Sequence, residues 1–172
     1  MRRFLPFLML AALPAAPALA GGLEKHSQDL SFDFSYSDTD DYGKTTALAG
    51  TWTYVLDGGN VEVGGVLAYL KVDLDDGTEV DALAIGPAVI FNFTPEKSAT
   101  GFVSGYLASV GGDAGDVFDY EAQIAVGIRS FVGDSASVDV ALSRTRDFGA
   151  DFFDDVDTTA LTAGLSIFFG AR

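Results

Sequence analysis

From Gln28 onward the chain alternates apolar and polar residues at period two, in runs broken by clusters of Gly, Asp, Asn, Ser and Pro. That period belongs to strands whose two faces meet different surroundings, and helical periodicity is hard to find. Eight runs can be placed. The first, about 28–37, sets Leu30, Phe32, Phe34 and Tyr36 against Asp29, Ser31, Asp33 and Ser35. The second, about 44–56, sets Leu48, Gly50, Trp52, Tyr54 and Leu56 against Ala47, Ala49, Thr51 and Thr53. In the third, about 61–72, Val61, Val63, Leu67 and Tyr69 look outward, but the opposite face is also apolar and the assignment stays ambiguous. The fourth, about 80–93, contains Pro87, which lacks a ladder donor and predicts a bulge or a distorted stretch.

The fifth run, about 99–110, is Gly-rich and ambiguous in face. The sixth, about 119–132, opposes Tyr120, Ala122, Ile124, Val126 and Ile128 to Glu121, Gln123, Ala125, Gly127 and Arg129. The seventh, about 136–146, opposes Val138, Val140 and Leu142 to Ser137, Asp139, Ala141 and Ser143. The eighth, 159–172, puts Thr159, Leu161, Ala163, Leu165, Ile167 and Phe169 on one face. Its other face is small and mostly polar.

The connections alternate in kind. Those at 57–60, 94–98 and 133–135 are tight and carry the Gly, Asn, Asp and Pro that short turns need. Those at about 37–43, 73–79, 111–118 and 147–157 are mostly longer and together hold 14 acids and no Lys or Arg. In an up-and-down meander alternate connections emerge at the same end. One end is therefore short and nearly neutral, the other longer and strongly acidic.

The N-terminus decides where the apolar faces can go. Arg2 and Arg3, the apolar run Phe4 to Leu13 and the small-x-small Ala18-Leu19-Ala20 read as an export signal cleaved after Ala20. Arg2-Arg3 reads as an ordinary charged region rather than a twin-arginine signal. The apolar run is shorter than the roughly 20 residues of a spanning helix. Residues 21–172 then form one domain, with eight Lys and Arg against 25 Asp and Glu, a net charge of −17. Such a chain repels nucleic acid. It has no cysteine, so lipid anchoring through a thiol and disulfides are excluded.

An exported chain can turn its apolar faces to lipid, which offers no hydrogen-bond partner, so the sheet must close on itself. The expected fold is all-β: a closed, antiparallel, up-and-down transmembrane β-barrel of about eight strands. A secreted β-sandwich or a lipocalin-like soluble barrel is the alternative. It accounts less well for small residues opposite aromatics, because charges would be expected on a face turned to water.

Thr162-x-Gly164-x-x-Ile167-x-Phe169 resembles the C-terminal assembly signal of outer-membrane barrels, displaced because Gly170, Ala171 and Arg172 follow. With the strand count and export signal, the chain resembles the small OmpA-type transmembrane-domain superfamily, and within it the YfaZ-like proteins. The resemblance implies a bacterial (Gram-negative) outer membrane, insertion by the barrel-assembly machinery, and contact with lipid and lipopolysaccharide as a monomer. It identifies a class and no substrate.

Enzyme readings fare badly. His26, the single histidine, precedes the first strand beside Ser27, which does not place a base against a nucleophile. Barrel enzymes that deacylate lipid A resemble this architecture but use a His-x-Ser pair near the C-terminus, which is lacking here. Gly111-Gly-Asp-Ala-Gly115 lacks a phosphate-loop lysine. No cofactor is expected beyond weak Ca²⁺ or Mg²⁺ at Asp38, Asp40 and Asp41 or at Asp73, Asp75 and Asp76; neither group has EF-hand spacing. Lys44, Lys71, Arg144 and Arg146 flank the acidic connections, where lipopolysaccharide phosphates lie, and are expected to meet them. Arg129 and Asp139 should pair across their hairpin inside the barrel, with Glu121 and Asp33 joining a lumen network.

The leading functional expectation is a non-enzymatic outer-membrane barrel with acidic extracellular loops and a membrane-structural or surface-interaction role. A narrow, cation-preferring channel is the alternative, and a soluble secreted binding protein is third.

Overall fold

The computed structural model describes residues 23, 25–39, 43–73, 77–95, 98–149 and 155–170. The expected signal segment, 1–20, lies outside them. Eight antiparallel strands follow one another: β1 (Gln28–Thr39), β2 (Gly43–Val55), β3 (Val61–Asp73), β4 (Glu79–Asn92), β5 (Ala99–Gly111), β6 (Phe118–Phe131), β7 (Ala136–Gly149) and β8 (Val156–Phe169). Each pairs with its sequence neighbours, and β8 returns to β1 to close the barrel. Strands of 12 to 14 residues exceed the ~9–11 that a tilted strand needs to cross a bilayer.

The pleat sorts every strand into two faces. Phe34, Ile85, Ile124, Ile128 and Leu161 stand outward with 60–65% of their surface exposed. The ambiguous third run resolves in the same way: Val63, Leu67 and Tyr69 point out, while Glu62 and Val66 are buried inside. In β5 the inward set is Thr100, Phe102 and Ala108. The inward faces are therefore less uniformly small than their sequence suggests, since Phe102, Phe131 and Phe168 are all buried.

Two local expectations are refined. At Pro87 the structure shows the distorted stretch and not the bulge. Pro87 pairs with Gly65 of β3, and the β4–β5 ladder merely lapses at Gly86 and Pro87 before resuming in the same register at Ala88 and Tyr106. Proline costs one donor without displacing its strand. A separate register shift falls between Phe118 and Tyr120. The connection expected at 147–157 is shorter, because Asp147 and Phe148 continue the ladder opposite Glu121 and Tyr120 and β8 begins at Val156.

The β1–β8 seam is the short one. It runs over six pairs, from Gln28 opposite Phe169 to Asp33 opposite Gly164, and ends there on the side of the long connections. The short connections and both strand ends of this seam share the opposite end of the barrel.

Candidate functional site in the barrel lumen

Three layers fill the inside. At the short-turn end, Leu23, Val55, Phe131 and Phe168 form a buried apolar plug. Leu23 is held there by its backbone N–H, which donates to Pro95 O at 2.8 Å.

Above the plug lies an ionic layer centred on Arg129, only 1% exposed. Its Nη1 donates to Glu62 Oε1 at 2.7 Å, its Nε to Asp139 Oδ2 at 3.0 Å, and its Nη2 lies 2.9 Å from Asp29 Oδ2. The Asp29 contact is ionic without hydrogen-bond geometry. Glu62 also accepts from Thr53 Oγ1 at 2.7 Å and from Asn92 Nδ2 at 2.8 Å. Ser166 donates to Asp139 Oδ2 at 3.0 Å. The guanidinium carbon stands 5.7 Å from the Phe102 ring centre and 5.3 Å from that of Phe168, within cation–π range of both. Isolated buried charge is prohibitively costly, so this many partners is what makes an arginine tenable here. Glycine makes room for the arrangement. A Cβ on Gly127 would lie 2.7 Å from Phe102 Cζ, and one on Gly164 would collide with the Asp33 carboxylate.

Above the ionic layer a cavity of ≈ 420 Å³ rises toward the long connections, where Val110, Ala114, Phe118 and Thr158 line it. Its walls differ in kind. β2, β3 and β4 contribute Ala47, Ala49, Val66, Ala68, Ala82 and Ala84. The wall from β5 through β1 carries Tyr106, Glu121, Gln123, Asp147 and Asp33. Glu121 and Asp147 face each other across the β6–β7 ladder, and Tyr106 Oη donates to Glu121. Gln123 Nε2 donates to Thr145 Oγ1 at 3.1 Å.

The structure thus brings Arg129 and Asp139 together and places Glu121 and Asp33 in the lumen above them. Glu121 belongs to the upper cluster and not to Arg129. Asp33 lines the cavity beside Gly164, within range of the charges of Arg129 and Asp139 but without a salt bridge to Arg129. Asp29 and Glu62 were missed as partners. Asp29 has the inward parity of β1, but Glu62 lies in the strand whose face the sequence left ambiguous, and pairing strands so distant in sequence requires closure.

At the rim, the bases expected to meet phosphate are held by acids. Lys71 Nζ contacts Asp73 at 2.9 Å and Glu79 at 3.2 Å, Arg144 contacts Asp157 at 3.1 Å, and Arg146 contacts Asp155 at 2.6 Å. Lys44 is exposed near the start of β2. These hydrogen bonds from Arg146, and one from the Gly149 backbone, hold the Asp155 carboxyl below the usual aspartate range. Of the aspartates considered for metal, Asp40, Asp41, Asp75 and Asp76 and the side chain of Asp38 lie outside the described residues. Asp73 is engaged by Lys71, and among the described residues no cluster of three His, Cys, Asp or Glu could hold an ion. His26 sits at the opposite end, Nδ1 against Tyr54 Oη at 2.7 Å and Nε2 against Asp57 at 3.1 Å. Along β8, Thr162 and Gly164 face the lumen, and Ile167 and Phe169 face outward.

Comparison of the whole backbone with solved structures gives OprG, an outer-membrane protein of Pseudomonas aeruginosa, at TM-score 0.56 and 12% identity, covering 87% of this chain and 99% of OprG. Neisserial surface protein A superposes at 0.55 with 14% identity, over 83% and 96%. The chain has the fold of the small outer-membrane β-barrels. This is the class to which the C-terminal motif pointed. A designed transmembrane β-barrel matches about as well, at 0.53 and 9% identity over 86% and 99%, so the outer-membrane barrel fold by itself names no function. No protein-family model and no curated protein sequence matches the chain.

Proposed function

We propose that the protein is a non-enzymatic, integral outer-membrane barrel that acts through its acidic surface loops rather than by conducting solutes. The observation that carries this reading is the closed lower half of the lumen. Arg129, Glu62, Asp29, Asn92 and Thr53 are each at most 1% exposed, and the Phe131–Phe168 plug lies beneath them. A path through would have to break a fully desolvated ion cluster, which is strongly unfavourable.

The apolar exterior supports lipid as the surroundings, and the outer leaflet makes lipopolysaccharide the natural lipid partner. With Lys71, Arg144 and Arg146 in acidic pairs, its phosphates would have to displace Asp73, Asp155 or Asp157. Divalent cations bridging acidic loops to phosphate are the simplest remedy. Insertion as a monomer by the barrel-assembly machinery, after removal of residues 1–20, completes the reading.

The test is twofold. The protein from the outer-membrane fraction should migrate faster on a gel unheated than boiled, and planar bilayers containing it should show no unitary conductance. A narrow cation-preferring channel is favoured by the acidic cavity alone; steady cation-selective steps would replace the first reading with it. Loss of heat-modifiable migration together with recovery as soluble protein would overturn both.

A further inference from the structure

The upper lumen is a blind pocket with two unlike walls. Its floor is the Arg129 layer, and it extends upward to Val110, Ala114, Phe118 and Thr158 at the other end of the strands. One wall, Ala47, Ala49, Ala68, Ala82 and Ala84, is made of methyl groups and offers area without hydrogen bonds. The other presents the carboxyl groups of Asp33, Glu121 and Asp147. Among the described lumen side chains Arg129 is the one base. It already contacts Asp29, Glu62 and Asp139, and of the carboxyl groups above it Asp33 feels its charge only at longer range. Within a small barrel those charges are poorly screened, and a positive group would gain more there than in water.

We propose that this pocket binds a small organic cation, an ammonium group joined to a compact apolar body. The ammonium lies between Glu121, Asp147 and Asp33, and the body lies against the alanine wall. An inorganic cation would satisfy only the carboxylates. A neutral molecule would satisfy only the alanines, and an organic anion is repelled. The volume of ≈ 420 Å³ exceeds the ~300 Å³ at which small-molecule pockets begin. Nucleotides and long lipid chains do not match the charge and the blind floor. This inference goes beyond the surface role proposed above and is separable from it. Conductance would defeat that role, and this binding could still be observed.

The test uses the refolded full-length barrel in zwitterionic micelles, titrated calorimetrically with 2-phenylethylammonium, with the uncharged 2-phenylethanol and with methylammonium, against protein-free micelles. Saturable one-to-one binding is expected for 2-phenylethylammonium, weaker by about tenfold for each comparator. E121Q/D147N should weaken the ammonium by about tenfold and leave the alcohol unchanged, whereas A49L should weaken both. Amide NMR shifts on titrating the unmutated barrel should centre on Ala49, Ala68 and Gln123, which keeps the proposal testable if E121Q/D147N fails to fold. Equal binding of the alcohol, indifference to both variants, or shifts confined to the long connections would overturn it, the last meaning attraction by loop acids only.

Discussion

Glu62 and Arg129 lie 67 residues apart in sequence, on β3 and β6, yet their side chains meet in the lumen at 2.7 Å. No ladder joins those strands. The contact spans the barrel and ties its two halves, with Asp29 of β1 and Asp139 of β7 completing the ring of carboxylates.

That arrangement makes the effect of a substitution depend on what it leaves behind. Arg129→Leu strands three carboxylates and is expected to destabilise the barrel by about 3–5 kcal/mol. Glu62→Gln keeps an acceptor for Asn92 and Arg129, and its amide N–H can donate to Thr53 Oγ1 with the direction reversed, so it should cost less. Urea unfolding in micelles checks the order, and a smaller loss for Arg129→Leu than for Glu62→Gln would contradict it.

Gly164 is expected to be intolerant because of Asp33. Gly164→Ala should lower stability by about 1–3 kcal/mol through the clash with that carboxylate. Adding Asp33→Ala should restore much of the loss, with a remainder because Phe32 O also lies 3.1 Å from the added carbon. Additive losses in the double variant would show that the glycine serves assembly rather than this packing.

Trp52, the single tryptophan, faces outward, 57% exposed, and its Nε1 donates to Gln28 Oε1 at 3.0 Å near the short-turn end. In vesicles its emission should be quenched by brominated lipids. Bromine placed near the headgroup should quench more than bromine deep in the chain, as suits an interfacial indole. Emission unaffected by either lipid would remove the indole from the bilayer.

Asp155 gives a pH dependence whose sign is fixed. Arg146 and the Gly149 N–H favour its charged form, so its folded pKa lies below the unfolded value of about 3.9. The group binds protons less readily folded than unfolded. Its contribution is present above that unfolded value and disappears as pH falls through the lower folded one. Carboxyl NMR titration should give a midpoint below about 3.9 that moves back toward it in Arg146→Gln, with the Gly149 N–H retaining part of the shift.

Strand number, the faces of the clear strands and the unequal ends were legible along the chain, because each depends on residues adjacent in sequence. Thr162, Gly164, Ile167 and Phe169 carried the class in the same way. The Arg129–Asp139 juxtaposition was also legible, since a tight turn at 133–135 fixes its own register. Pro87 marked a disturbance in the right place, but a missing donor does not say whether the chain slips or only loses pairing, and here it loses pairing.

What the sequence could not set was which inward residues share a level across the lumen. Parity alone puts Asp29, Asp33, Glu121 and Asp139 inside, whereas Glu62 lies in the strand of ambiguous face and Asp147 in what reads as a connection. Closure of β8 on β1, and the stagger that closure imposes, divides them into a floor around Arg129 and an acidic wall above it. Alternation is a local consequence of the pleat. The division into plug and pocket is a property of the closed barrel, because contacts across a lumen arise only when the sheet has no edge left.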